Sequence, residues 1–77
     1  NSVWIKNPIA NTVEINSSYT IENATISITD VLGKTIFSTK NRTINGTLEI
    51  PVSMSKGIYL ITIATENESI TKKLIKE

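Results

Sequence analysis

Apolar residues recur at every second position in several short runs of this chain, the spacing of strands that bury one face. Val3 and Ile5 open the first run, and Asn7-Pro8 stops it because proline has no N–H to give a ladder. Val13 and Ile15 flank Glu14 in a second, which Tyr19 and Ile21 are expected to continue past a break at Asn16-Ser17-Ser18. The third is the most regular, with Ala24, Ile26 and Ile28 on one side and Thr25, Ser27 and Thr29 on the other. Asp30-Val31-Leu32-Gly33 reads as a type I turn, aspartate first and glycine fourth, so Thr35 to Thr39 is expected to return as its hairpin partner. Leu48, Ile50 and Val52 alternate with Thr47, Glu49 and Pro51 in a fifth run, whose proline predicts a sheet edge or a strand end. The tight-turn dipeptide Asn45-Gly46 predicts a further hairpin closing just before it. Gly57 opens Ile58 to Ala64, which is apolar on both faces, and Glu66-Asn67 turns the chain into a last strand from Ser69 to Lys76.

Six or seven strands with no helix of useful length predict an all-β fold of two packed antiparallel sheets, a small β-sandwich. Residue choice agrees with the pattern. Ile and Thr abound while Ala and Leu are few, and side chains branched at Cβ suit a pleated surface better than a helix. Seventy-seven residues make one domain over 1–77. A chain of that length buries only about 60% of its unfolded surface, so modest stability is expected.

Composition then narrows the chemistry. With neither cysteine nor histidine, the chain has no disulfide, no thiolate or imidazole metal ligand, and no catalysis built on a Cys nucleophile or a His base. The formal net charge of +1 is spread along the chain, which argues against a nucleic-acid surface. No apolar stretch approaches the roughly 20 residues of a membrane-spanning helix, and no signal-peptide pattern is present, so the chain is expected to be a piece of a longer protein. Asp30, Glu14 and Glu49 are the best carboxylates for catalysis, but no spacing pairs them across a cleft, and no enzyme is expected. No loop has the dense acidic spacing of a calcium site, and no cofactor is expected.

Several residues invite both a structural and a functional reading. Gly33 and Gly57 are assigned to backbone geometry, Asp30 to capping its own turn, and Asn7-Pro8 to stopping a strand. Trp4, Tyr19, Phe37 and Tyr59 are too few for a sugar-binding face, and core or half-buried positions suit Trp4 and Tyr59 better. The five Asn-x-Ser/Thr triplets, at Asn16, Asn23, Asn41, Asn45 and Asn67, follow from a composition rich in Asn and Thr. Lys72, Lys73 and Lys76 admit two readings: lysines that keep an edge strand from pairing wrongly, or a basic stripe offered to an acidic receptor. Because Ile58 to Ala64 is apolar on both faces, the last two strands together form the candidate recognition surface, with Tyr59 and Ile61 as apolar contacts and the lysines as steering charges.

Three segments together resemble the type A C-terminal sorting domain of type IX secretion substrates. Val3-Trp4-Ile5-Lys6-Asn7-Pro8-Ile9-Ala10-Asn11-Thr12-Val13-Glu14-Ile15 is similar to the family's opening strand and Pro-Asn-Pro motif, with Lys6 at the first proline and Ile9 where alanine is commoner. Ile26 to Ile36 resembles its central strand, Asp turn and Gly-Lys hairpin. Met54-Ser55-Lys56-Gly57-Ile58-Tyr59 is similar to its Leu-x-x-Gly-x-Tyr strand, with Met54 for leucine, and Thr71 to Glu77 resembles its basic terminal strand.

The resemblance implies an Ig-like β-sandwich that acts as a signal in Bacteroidetes-type bacteria. It also implies the partners: an outer-membrane secretion receptor or shuttle, a sortase-like protease, and an upstream cargo domain of the same precursor. The route implied runs through the periplasm to the cell surface or the medium. A structural or adhesive spacer module of a surface protein is the alternative, and position within the precursor separates the two.

Overall fold

The computed structural model describes residues 2–77. Seven strands follow one another: β1 (Val3–Ile5), β2 (Thr12–Ser17), β3 (Ile21–Asp30), β4 (Thr35–Ile44), β5 (Thr47–Pro51), β6 (Gly57–Ala64) and β7 (Ser69–Lys76). They form a three-stranded sheet ordered β1-β2-β5 and a four-stranded sheet ordered β4-β3-β6-β7. Every pairing between neighbouring strands is antiparallel, and no helix occurs among the described residues. The expected two-sheet sandwich is therefore the fold.

Alternation builds the core as the sequence predicts. Ala24, Ile26 and Ile28 of β3 are buried and meet Ile61 and Ile63 of β6, which lie beside them in the same sheet, and Val13 and Ile15 of β2, which come from the other. Burying a branched aliphatic side chain contributes about 1.5–3 kcal/mol, so this apolar layer is the main driving force for folding. Among the described residues Ser17 is the one buried polar residue, and its hydroxyl bonds to both the N–H and the C=O of Tyr19.

Those Ser17 bonds end β2, and here the structure corrects the expected continuation. Serine offers the backbone local partners in place of the ladder. The chain turns at Ser18, and Ile21 begins β3 in the opposite sheet, paired with Ile44. The Asn45-Gly46 hairpin is corrected too. Gly46, at φ 84, carries the chain from one sheet to the other, where Leu48 and Ile50 of β5 pair with Ile15 and Val13 of β2. β4 also runs past Thr39 to Ile44, because register shifts in the β3–β4 ladder, with Asn23 at φ 54 and Asn41 at φ 56, absorb the residues that break the alternation. Pro51 lies on β5, an edge strand as its missing N–H requires.

The β3–β4 turn forms as read. The Gly33 N–H donates to the Asp30 carbonyl at 3.1 Å, and the Asp30 carboxylate accepts from the N–H groups of Leu32 and Lys34, each at 2.9 Å. Gly33 holds φ 90, a conformation that side-chain residues resist.

One contact closes the molecule around its two ends. The Asn7 amide reaches the free edge of β7: its Nδ2 donates to the Lys73 carbonyl at 2.9 Å, and its Oδ1 accepts from the Ile75 N–H at 2.8 Å. The backbone continues the pairing, with the Ile9 N–H donating to the Ile75 carbonyl at 2.8 Å and the Glu77 N–H to the Ile9 carbonyl at 2.9 Å. Asn7-Pro8-Ile9 thus acts as a short extra neighbour for the C-terminal half of β7. Its side-chain amide stands in for a strand backbone.

Candidate recognition surface

The register of β6 on β7 decides which side chains face outward. Directly opposed residues of an antiparallel pair share a face. Tyr59 stands opposite Leu74 and Ile61 opposite Lys72, whereas Ile58 stands opposite Ile75 and Leu60 opposite Lys73. Tyr59 is 8% exposed and Ile61 is fully buried, so both belong to the core. The Tyr59 hydroxyl donates to the Ser55 carbonyl at 2.6 Å, which pins the ring inward.

The structure thus places Tyr59 and Ile61, the apolar contacts expected from the sequence, in the core, and the β6 side chains that face solvent are Ile58 and Leu60. The phase was ambiguous because both parities of β6 are apolar. The nearby hydroxyl bond and the pairing of Ile61 with Ile28 resolve it.

The same register divides the lysines. Lys73 lies on the outer face beside Leu60, while Lys72 and Lys76 share the inward parity with the fully buried Leu74 between them. Lys72 is exposed and Lys76 half-buried, the latter donating through Nζ to the Glu77 carbonyl at 2.7 Å. The three therefore do not form one stripe.

Gly57 sits at φ 157 at the start of β6, opposite Lys76, where the chain enters the strand from the Met54-Ser55-Lys56 segment. Asn7 and Ile9, on either side of Pro8, bond to β7, so the opening motif and the last strand, far apart in sequence, belong to one structure. Sequence reasoning gave this asparagine only the role of a strand stop. Its contact is set by the tertiary fold, and no local pattern signals it.

Across the rest of the outer face, β3 contributes Thr25, Ser27 and Thr29, and β6 and β7 contribute Thr62 and Thr71, whose hydroxyls lie 3.0 Å apart. This broad hydroxyl-rich surface gives way at one end to apolar side chains. Ile58 is 50% exposed, Leu60 40% and Ile75 37%, and beyond them the β3–β4 turn leaves Leu32 92% exposed.

Most of the glutamates lie elsewhere. Glu22 and Glu66 border one depression with Asn23, Asn41, Thr65 and Asn67 at the opposite end of the sheet. There Glu68 accepts a 2.8 Å bond from the Tyr19 hydroxyl, which raises the Tyr19 pKa above its ordinary value. Glu14 and Glu49 stand opposite each other on the outer face of the smaller sheet. No cluster of three or more His, Cys, Asp or Glu residues with metal-site geometry occurs among the described residues.

The chain is thus a two-sheet antiparallel sandwich whose distinctive exterior is one apolar, lysine-bearing sheet end. Residues 7–77 match the family of secretion system C-terminal sorting domains, and the chain belongs to that family, a sorting signal for type IX secretion. No curated protein matches the chain. Family membership favours the tag over the spacer reading, and it implies export to the cell surface or extracellular space through the type IX machinery.

Proposed function

We propose that residues 1–77 act as one folded, non-enzymatic tag, read during periplasmic transit by an outer-membrane receptor or shuttle on behalf of an upstream cargo domain. In this reading a sortase-like protease then removes the tag. The receptor contacts the outer face of β6 and β7, where Ile58, Leu60 and Ile75 surround Lys73. One observation carries the assignment: a strand pair whose inner face is already satisfied by core packing still presents three large aliphatic side chains to solvent, each more than a third exposed. Exposed apolar clusters of this kind mark interaction sites.

Ser2 exchanges hydrogen bonds with Ser18, its N–H donating to the Ser18 hydroxyl at 2.8 Å and its carbonyl accepting from the Ser18 N–H at 2.9 Å. That contact lies at the Tyr19–Glu68 end, away from Ile58, Leu60 and Ile75.

The test is a secreted reporter carrying the domain at its C-terminus in a type IX-competent host, with Leu60→Asp and Ile75→Asp introduced together. The reporter is expected to stay in the periplasm while the isolated domain melts like the unaltered one. Export at the unaltered level from a folded variant would refute the assigned surface. Mass spectrometry of exported reporter checks removal: loss of the domain's mass is expected, and a full-length product argues against proteolysis.

A further inference from the structure

The apolar surface extends beyond the last two strands. Leu60 is opposed on its other side by Thr29, and Asp30, the next residue of β3, pairs with Tyr59, which brings the β3–β4 turn to the same end of the sheet as Ile58. Val31 is 70% and Leu32 92% exposed at that turn. Neither side chain contributes to the buried core. Holding two large aliphatic residues in water at a tight turn is unfavourable for solubility, and polar residues would serve the turn equally well.

Charge is distributed along the same axis. Lys34 follows the turn, Lys56 precedes Gly57, Lys73 lies beside Leu60, and Lys76 stands opposite Gly57. On the four-stranded sheet the carboxylates at this end are Asp30, whose Oδ1 is already taken by two backbone N–H groups, and Glu77; on the smaller sheet Glu14 and Glu49 share a depression with Ile9, which bonds to Ile75. Glu22, Glu66 and Glu68 occupy the far end. On the four-stranded sheet positive charge therefore outweighs negative at the apolar end, and at the other end the three glutamates outnumber Arg42, which stands opposite Ala24.

We propose that this whole end, with Val31 and Leu32 of the turn joined to Ile58, Leu60 and Ile75, docks on a folded protein surface that has an apolar centre rimmed by carboxylates. The proposal rests on the reading of the domain as a tag and names the chemistry of its receptor. Complementary charge of this kind speeds encounter and fixes orientation, while apolar burial supplies affinity. A protein fits better than an anionic membrane. The surface next to the patch is the hydroxyl-rich face of the sheet, and the exposed aromatic suited to a lipid interface, Trp4, lies on the other sheet opposite Asn16.

A graded charge series tests it in the reporter assay, with the unaltered tag exported as reference. Lys34, Lys56 and Lys73 are changed together to Arg, to Gln or to Glu, and Leu32→Ser is made separately. Near-normal export is expected for Arg, a several-fold loss for Gln, a larger loss for Glu, and a several-fold loss for Leu32→Ser. Glu22→Lys with Glu66→Lys is expected to export normally. Far-ultraviolet dichroism and melting of each purified variant confirm folding. Equal export of the folded Gln and Glu variants would overturn the acidic partner, and normal export of Leu32→Ser would remove the turn from the surface.

If the unaltered tag itself fails to direct export, the tag reading fails, and the partner chemistry with it. A lipid alternative is checked with vesicles of phosphatidylcholine and phosphatidylglycerol. No co-sedimentation of the domain is expected. Sedimentation that the Glu variant abolishes would replace the protein partner by a membrane.

Discussion

The Asn7 side chain pairs with β7 as a neighbouring strand would, donating to the Lys73 carbonyl and accepting from the Ile75 N–H. Sixty-eight positions separate Asn7 from Ile75, so this one amide ties the first turn of the chain to its last strand. The bond covers part of an edge that would otherwise be open to unwanted pairing.

Replacing Asn7 by Ala should remove both bonds. Each typically contributes about 0.5–1.5 kcal/mol, so a loss of about 1–3 kcal/mol is expected. Chemical denaturation measures it. Amide hydrogen exchange should accelerate at Ile75 while Ile61 stays protected. Unchanged exchange at Ile75 would show that the side-chain bond contributes nothing.

Core truncation should act more severely. Ile61 is fully buried between Ile28 and the opposite sheet, and Ile61→Ala should cost about 2–5 kcal/mol. A domain this small has little reserve, so the variant is expected to be largely unfolded by dichroism. Leu60→Ala, one residue away but facing outward, should melt close to the unaltered domain. Comparing the two directly checks the phase of β6.

Glu14 and Glu49 face each other across β2 and β5, and like charges directly opposed destabilise a sheet. Glu49→Lys should therefore raise stability by about 0.2–1 kcal/mol, an effect that salt should diminish. A lower melting temperature at low salt would contradict it.

Tyr19 supplies a pH dependence. Its hydroxyl donates to Glu68, and that bond, with a smaller effect of burial and of the Glu68 charge, raises its pKa above the ordinary 10.0. The neutral phenol is thus favoured in the folded state. Its contribution is fully present below the unfolded pKa and is lost as pH climbs through the higher folded value. Stability should fall above about pH 10, and Tyr19→Phe should flatten that part of the curve. An identical curve for the variant would exclude this linkage.

Local chemistry carried much of the fold in readable form. The alternation at Ala24, Ile26 and Ile28 defined an inward face, and Asp30 with Gly33 marked a turn whose bonds depend only on residues within it. What could not be read was set by distant partners. Both parities of β6 are apolar, so only pairing with β3 and β7 shows that Tyr59 and Ile61 turn inward and Ile58 and Leu60 outward. β4 continues through register shifts that destroy its period, and Asn45-Gly46 changes sheets because Leu48 and Ile50 have partners in β2. The lysine stripe was divided by the same two-residue period that betrayed the strand.

Fusing the domain to the C-terminus of a periplasm-targeted fluorescent protein, and comparing a type IX-competent host with the same host lacking its outer-membrane translocon, tests the central claim most directly. Fluorescence should reach the cell surface or the medium in the competent host and remain in the periplasm of the other. Equal release from both hosts, or retention in both, would contradict it.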